Sequence, residues 1–420
     1  MVPQVSTPPK EVTALKVLIT TSYYWPEGAG SAPYLTGLAE HLAAHGHDVV
    51  VATGFAHYPE WRSGARGRLV LSETHNGVKI RRRWHYVPRQ QTAAHRAAYE
   101  SSLLAFGLTA FPPRWKADVI VGTCPTIATG VLAATASRIY RAPYGLVFQD
   151  LVGLAAEQSG VTGGARVARF VQRTELGLAE RAAAVGIIAE GFRPYFVDDG
   201  VKPSKVVRLR NWTRRVEPTE SAEETRKRFG WDPDDFICVH GGNMGHKQGL
   251  DNLLDAAQLM NGARARIALV GDGNERERLE RLARERRLAN VDFIPLQGPG
   301  DWEATMQASD VLLVNQRATV RDMSLPSKLT SYFASGRPVI AAVSGDSETA
   351  REIEAARAGL VVPPADPVAL RDAIVGLMTN PTRARELRAS GTHYAESVLS
   401  RESALAEYDE FVDAILAGGT

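Results

Sequence analysis

FICVHGGNMGHKQGLDNLLDAA, residues Phe236 to Ala257, changes its periodicity halfway along. The opening run Phe236-Ile237-Cys238-Val239 is continuously apolar, as in a strand buried on both faces. Gly241-Gly242 ends it. From Gly249 onward Leu250, Leu253, Leu254 and Ala257 recur at helical spacing. A strand therefore runs through a glycine turn into a helix, with Asn243 and Lys247 in the turn. Glycine lets bare backbone approach a ligand, and a helix start offers free N–H groups to an anion. Lysine adds a full positive charge. The stretch reads as a phosphate-binding site.

The same pattern recurs on both sides of it. The strand Ile267–Val270 ends in Gly271-Asp272-Gly273. Asp272 is suited either to capping the next helix or to meeting a ligand. Further on, Asp322 to Gly336 reads DMSLPSKLTSYFASG. Pro326 suits a first helical turn and Gly336 its end, so a helix over 327–335 is expected, with Ser327 and Lys328 at its start. Strands are expected at 291–294, 311–314 and 339–343, and helices at 275–287 and 400–417. Ligands of open parallel sheets bind beyond the carboxyl ends of the strands. Lys247 and Lys328 would then both face an anion.

The first half alternates likewise, with strands at 17–20, 49–52, 78–81, 119–122, 144–148, 185–189 and 206–209 and a helix over 32–44. Its first strand leads into Tyr23-Tyr24-Trp25-Pro26-Glu27-Gly28-Ala29-Gly30-Ser31, a second ligand-facing loop. Gln149-Asp150 emerges from the apolar strand Tyr144–Phe148 and is a candidate for holding or deprotonating a hydroxyl. The charged stretch Glu217 to Asp235 is the best domain boundary. Alternating strands and helices over 420 residues predict two α/β domains with parallel sheets.

Composition narrows the class. Apolar residues make up 44% and charged residues 23%, as in a globular enzyme, and a net charge of +2 demands no nucleic-acid partner. The run ERERLERLARERR carries Leu279, Leu282 and Leu288 as a buried stripe between paired charges. Cys124 and Cys238, the only cysteines, are expected as buried free thiols. The polar start lacks the regions of a signal peptide, and no run of about 18 apolar residues exists, so a cytoplasmic location is expected. No zinc-ligand spacing occurs, and neither metal nor cofactor is expected. The dinucleotide pattern G-x-G-x-x-G is missing after the first strand, and Lys247 is followed by Gln248 rather than Ser or Thr.

Seven segments in order carry a resemblance: the stretch from Tyr23 to Arg62, FQDL at 148–151, LRNW at 209–212, GGNMGHKQGLDNLLDAA, VGDGNERERLE, VDFIPLQ at 291–297 and LPSKLTSYFASGRPVIA. The chain resembles retaining GT-B glycosyltransferases of family 4, in the colanic acid and O-antigen branch that includes fucosyl- and N-acetylfucosaminyl-transferases. That resemblance implies two Rossmann-like, doubly wound domains facing an interdomain cleft. It divides the chain into a disordered tail (1–14), an acceptor-binding domain (15–213), a linker (214–235), a nucleotide-sugar-binding domain (236–398) and a last helix packing back on the first domain (399–420). It implies donor contacts from Gly242, Asn243, Lys247, Gly271, Asp272, Gly273, Leu296, Ser327, Lys328 and Ser331. The loop with Tyr24, Gly28, Gly30 and Ser31 would lie at the cleft, near diphosphate and acceptor. Gln149 and Asp150 stand where the family often has a His-Asp pair.

Two departures matter. Much of the family has Glu-x7-Glu where this chain has Met323 and Ser331, so a ribose contact passes to Ser331 or a neighbour and part of the first glutamate's role to Asp322. The usual Arg at the phosphate turn is Asn243. The implied reaction moves a hexosyl or 6-deoxyhexosyl unit from a UDP- or GDP-sugar to a hydroxyl of a glycan, lipid-linked or small-molecule acceptor, with retention. Asp150, Gln149, Lys247, Lys328 and Asp322 are its candidate catalytic residues. Arg81-Arg82-Arg83-Trp84 and the stretch Tyr99 to Trp115 suggest peripheral contact with anionic lipid, or an ordinary helix with a basic edge. A GT-B sugar-nucleotide epimerase and a sugar-nucleotide-binding protein with weak or no activity are the competing classes.

Overall fold

A computed structural model describes residues 13–58, 60–65, 67–90, 92–124, 126–151, 164–214, 216–260, 262–319 and 328–419, with side chains of 164–168 left aside. The chain divides into two compact units. The first holds residues up to Ile188, Phe192 to Leu209 and the chain from Leu405 onward. The second holds Ala189–Gly191 and Arg210–Ala404.

The first unit is built on strands β1 (Lys16–Thr20), β2 (Asp48–Gly54), β3 (Val70–His75), β4 (Val78–Arg83), β5 (Val119–Cys124), β6 (Tyr144–Phe148), β7 (Ala184–Ile187) and β8 (Val206–Arg208). They form one sheet in the order β3-β4-β2-β1-β5-β6-β7-β8. Only the β3–β4 pair is antiparallel. The connections carry α1 (Ala32–Ala44), α2 (Ala93–Gly107), α3 (Ile127–Tyr140), α4 (Gly164–Arg181) and the short α5 (Arg193–Val197). Strand β3 was not foreseen. It is a polar edge strand whose residues alternate between exposed and half-buried, so it lacks the apolar run that marks the central strands.

The second unit contains α6 (Ala222–Phe229), β9 (Phe236–Gly241), α7 (Asp251–Leu259), β10 (Ala265–Val270), α8 (Arg276–Glu285), β11 (Val291–Ile294), α9 (Asp301–Ala308), β12 (Val311–Asn315), α10 (Lys328–Ala334), β13 (Val339–Ala342), α11 (Glu348–Ala356), β14 (Gly359–Val362), α12 (Pro367–Thr379) and α13 (Pro381–Ser397). Its strands pair in parallel in the order β11-β10-β9-β12-β13-β14. Alternate strand residues enter two cores. Ile237, Val239, Val270 and Leu312 share one face, and Cys238, Ile267, Leu269 and Leu313 the other. Both faces are covered, which is why these strands read as unbroken apolar runs.

Residues 214–235 carry more structure than their charge suggests. Ser221 and Glu224 form a reciprocal capping box that starts α6. Trp231 enters the second unit's core, and its indole N–H donates to Asp292 at 3.0 Å. Strand β14 and helices α11 to α13 were likewise not foreseen. The last helix, α14 (Arg401–Ala417), buries Tyr408, Phe411 and Ile415. A Cβ on Gly145 of β6 would lie 2.4 Å from the Ile415 side chain, and one on Gly186 of β7 3.4 Å from Phe411, so small residues seat this helix on the first unit's sheet. His41 of α1 meets Asp409 at 2.9 Å.

Candidate active site

In the second unit β9 and β10 end level with one another, Gly241 pairing with Val270. The two glycine turns that follow touch backbone to backbone. Gly242 has φ +110° and donates its N–H to Val270 O at 2.8 Å. Met244 N–H donates to Asp272 O at 2.7 Å, and Glu275 N–H to Met244 O at 3.0 Å. A Cβ on Gly271 would lie 2.0 Å from Gly242 O, and one on Gly273 2.5 Å from Met244 O. Any side chain there would push the turns apart. The structure thus joins the sites at Gly242–Lys247 and Gly271–Gly273 into one surface.

Lys328, at the start of α10, completes it. Its Nζ donates to Gly241 O at 3.0 Å and would lie 3.7 Å from a Cβ on Gly242. Burial pulls its ammonium down to about 8. Tyr332, one helical turn on and fully buried, accepts the Gly241 N–H at 3.2 Å through its hydroxyl. Beneath the turn, His240 is fully buried and donates through Nδ1 to Leu313 O at 3.1 Å. Burial, and then the charge of Lys328, hold it well below the usual histidine range, so it is neutral. Lys328 is therefore a cation set directly on the Gly241 peptide, with the neutral Tyr332 and His240 beside it.

Asn243 and Lys247 are exposed. Lys247 sits in a 3-10 turn, His246–Gln248, ahead of α7 rather than on the helix itself. Asn315 at the end of β12 braces that turn, donating from Nδ2 to Gln248 O at 2.6 Å and Gly249 O at 3.0 Å. Arg317 N–H donates to Lys247 O at 3.0 Å, and Arg317 Nη1 to His246 Nε2 at 2.8 Å. Arg276, read from sequence only as part of a solvated helix, donates to Gly271 O and, at 3.3 Å, to Ile294 O. It ties the second glycine turn to the segment carrying Leu296, which is 71% exposed. Asp272 is exposed and accepts the Gly273 N–H at 2.8 Å. Ser331 donates to Lys328 O at 2.9 Å, within its own helix. Asp322, Met323 and Ser327 lie outside the described residues.

In the first unit the loop after β1 packs against the loop after β2. Gly30 has φ +62°, and a Cβ there would lie 3.3 Å from the Tyr58 ring. Gly28 is open, with nothing within 4 Å of such a Cβ. Ser31 caps α1 by position only, its buried hydroxyl making no hydrogen bond. Tyr24 requires correction. It is fully buried, because its ring fills the core beneath the loop, so it does not line a ligand surface. Tyr58 and Trp61, which sequence reasoning did not single out, are half-buried aromatics near this loop, as is Trp25 within it.

Gln149 is buried and its backbone N–H donates to Cys124 O at 2.8 Å. Asp150 is exposed at the surface of the described residues, yet enough protein surrounds it that desolvation lifts its carboxyl to about 6. At neutral pH it is ionised and close to the range suited to proton transfer. Among the described residues no group of three or more His, Cys, Asp or Glu side chains is placed to hold a metal ion.

Both halves of the chain match known family models. Residues 29–212 match the glycosyl transferase 4-like domain and residues 221–396 the glycosyl transferases group 1 model. The chain is also 30% identical over 414 residues to the "Putative colanic acid biosynthesis glycosyl transferase WcaI" of Escherichia coli (strain K12), covering 94% of this chain and 98% of that protein. The chain belongs to the group 1 glycosyltransferases. It is a transferase with the two-domain GT-B fold. The sucrose-phosphate synthase of Thermosynechococcus elongatus aligns with a TM-score of 0.69 at 19% identity, over 96% of this chain and 99% of that one. Anabaena HepE in complex with UDP aligns with a TM-score of 0.69 at 17% identity, over 95% and 100%. In this glycosyltransferase the group 1 match contains both glycine turns and Lys328. No helix among the described residues is long and apolar enough to cross a membrane.

Proposed function

We propose that this glycosyltransferase moves a hexosyl or 6-deoxyhexosyl unit from a UDP- or GDP-sugar to a hydroxyl, with retention, in the manner of the colanic acid and O-antigen branch. The observation that carries this reading is Lys328 Nζ poised over the joined turns at Gly241–Gly242 and Gly271–Gly273. Breaking the sugar–phosphate bond leaves its electron pair on a phosphate oxygen, and a cation with open glycine backbone beside it stabilises the negative charge that develops on the departing diphosphate. Asn243 and Lys247 extend the same surface. Leu296, beside the strand end that Arg276 anchors, is assigned to the base in this reading, and Ser331 to the ribose. Ser327 and Asp322 keep their proposed roles from sequence. Gln149 and Asp150 serve the acceptor hydroxyl, Asp150 by accepting hydrogen bonds or a proton, and Gly28, Gly30 and Ser31 form the acceptor loop. The full-length WcaI relative is named for colanic acid biosynthesis, which supports the branch.

A lipid-linked acceptor with peripheral membrane contact needs a different surface from the one the basic motif suggested. Arg82 and Arg83 are buried, Arg82 donating to Glu73 at 2.6 Å and Arg83 to Thr109 at 2.9 Å. Their charge is spent inside the unit. The lipid-facing candidates are instead the exposed Leu69, Val70, Phe106 and Leu108, of which Leu69 and Phe106 adjoin Trp84. Co-sedimentation with anionic vesicles tests this, and no binding by the wild type removes it.

The donor test is a panel of UDP- and GDP-hexoses read by ligand-induced thermal shift, followed by release of free nucleoside diphosphate. One donor should raise the melting temperature and be consumed faster when an acceptor is added. A panel with no shift would remove the donor assignment. Interconversion of the sugar without release of diphosphate would mark an epimerase.

A further inference from the structure

We infer that Glu27 is a positioning residue that clasps the acceptor-side loop into its working shape. Glu27 is 8% exposed, and both its oxygens are spent on backbone. Oε2 accepts the Tyr24 N–H at 2.9 Å, from the loop after β1. Oε1 accepts the His57 N–H at 2.8 Å and the Tyr58 N–H at 2.9 Å, both from the loop after β2. One carboxylate thus ties two loops together through three N–H groups. Charge-assisted bonds of this kind are the strong ones, and they offset the cost of burying the charge.

The clasp fixes more than backbone. Holding Tyr58 N–H places the Tyr58 ring against Gly30. Holding His57 N–H sets an imidazole that donates through Nδ1 to Phe55 O at 3.0 Å. Its Nε2 then accepts from the Tyr99 hydroxyl at 3.1 Å. Tyr23 stacks on His57 with ring centroids 5.3 Å apart and lies 5.2 Å from Tyr58. The Gly28–Ser31 segment is therefore flanked by groups whose positions trace to one side chain. A carboxylate is needed because both oxygens must accept. A glutamine has one acceptor oxygen, and an aspartate is one methylene short of spanning the two loops.

This inference rests on the transferase reading for its functional half, in which the Gly28–Ser31 loop serves the acceptor. The test therefore has two arms on the full chain, comparing wild type with Glu27→Gln and Glu27→Asp. The first arm is native-state hydrogen exchange at the Tyr24, His57 and Tyr58 amides, which needs no substrate. In Glu27→Gln the amide oxygen is expected to stay with His57 and Tyr58, so exchange at Tyr24 should quicken at least tenfold while strand β1 keeps its protection. The second arm measures nucleoside diphosphate release from the UDP- and GDP-hexose panel. Turnover should fall at least tenfold in both variants with the donor KM within twofold of wild type. Unchanged exchange at all three amides overturns the clasp. Faster exchange with unchanged turnover overturns the positioning role. A donor KM that weakens in step with kcat marks a general structural defect and overturns it too. If the wild type turns over no donor, the transferase reading is what fails, and the exchange arm still decides the clasp.

Discussion

The glycine loops of the two units look alike in sequence and are built on different electrostatic plans. In the second unit, Gly242 and Gly271 meet backbone to backbone with a lysine ammonium over them. In the first unit, the loop that carries Gly28 and Gly30 is organised around the buried carboxylate of Glu27, which consumes three N–H groups. A glycine turn with a cation suits an anion. The first unit's loop has its charges consumed internally, Glu27 by three N–H groups and Arg82 by carbonyls that include Trp25 O. Glycine content alone does not assign a ligand; the charge at the centre of the loop does.

The largest effect that would break this contrast comes from Lys328. Replacing it with alanine should lower donor turnover by about 100-fold or more, in line with the loss of a preorganised group at the developing charge. Steady-state kinetics on the donor found by thermal shift measure it, and wild-type rates would remove Lys328 from the site. Next comes Gly271→Ala. Its Cβ would fall 2.0 Å from Gly242 O, so the turns must separate, at about 2 kcal/mol or more of stability. Chemical denaturation should show this together with weakened donor binding; an unchanged midpoint would mean the two turns are not in contact. Lys247 is exposed and screened by solvent, so Lys247→Ala should cost only about tenfold in donor affinity.

A pH profile sharpens the same comparison. Lys328 titrates at about 8, so its charge is present below that pH and lost above it. The ratio kcat/KM for donor should therefore decline above pH 8 in the wild type, and Lys328→Arg, which stays charged, should flatten the decline. The first unit responds at the other end. Burial pushes His85 down to about 3 and lowers His57 as well. The unfolded chain protonates both below about pH 6.5, while the folded unit holds them neutral. Stability from His85 is thus present above about pH 6.5 and is lost as pH falls toward 3, by about 1.4 kcal/mol per pH unit, and His57 acts in the same direction. Melting at pH 7 and pH 5 checks it, and His85→Phe should reduce the difference.

Much of the second unit was legible because its central strands are buried on both faces and end in glycine. Phe236–Gly241, Ala265–Val270 and Val311–Asn315 announce themselves as largely apolar runs. The edge strand β3 and the short β14 do not, since half-buried strands share their composition with loops. The site followed the same division. Lys328 and the glycines could be found by position alone. Glu27, Arg276 and Asn315 could not, because each acts by binding carbonyls or N–H groups far away in sequence, and a charged or polar letter in a loop carries no mark of that partner. Tyr24 shows the reverse error: an aromatic in a glycine-rich loop looked ligand-facing and is core. The basic motif Arg81–Trp84 misled in the same way, since Arg82 and Arg83 turn inward to internal acceptors.

The most direct test of the central claim is a calorimetric titration of wild type and Lys328→Ala with UDP and GDP at pH 7. The joined glycine turns and Lys328 as the diphosphate site predict tight binding of one of the two by wild type. They predict binding at least thirtyfold weaker in Lys328→Ala, whose melting temperature without nucleotide should match wild type. Equal affinity in the two proteins would contradict the account.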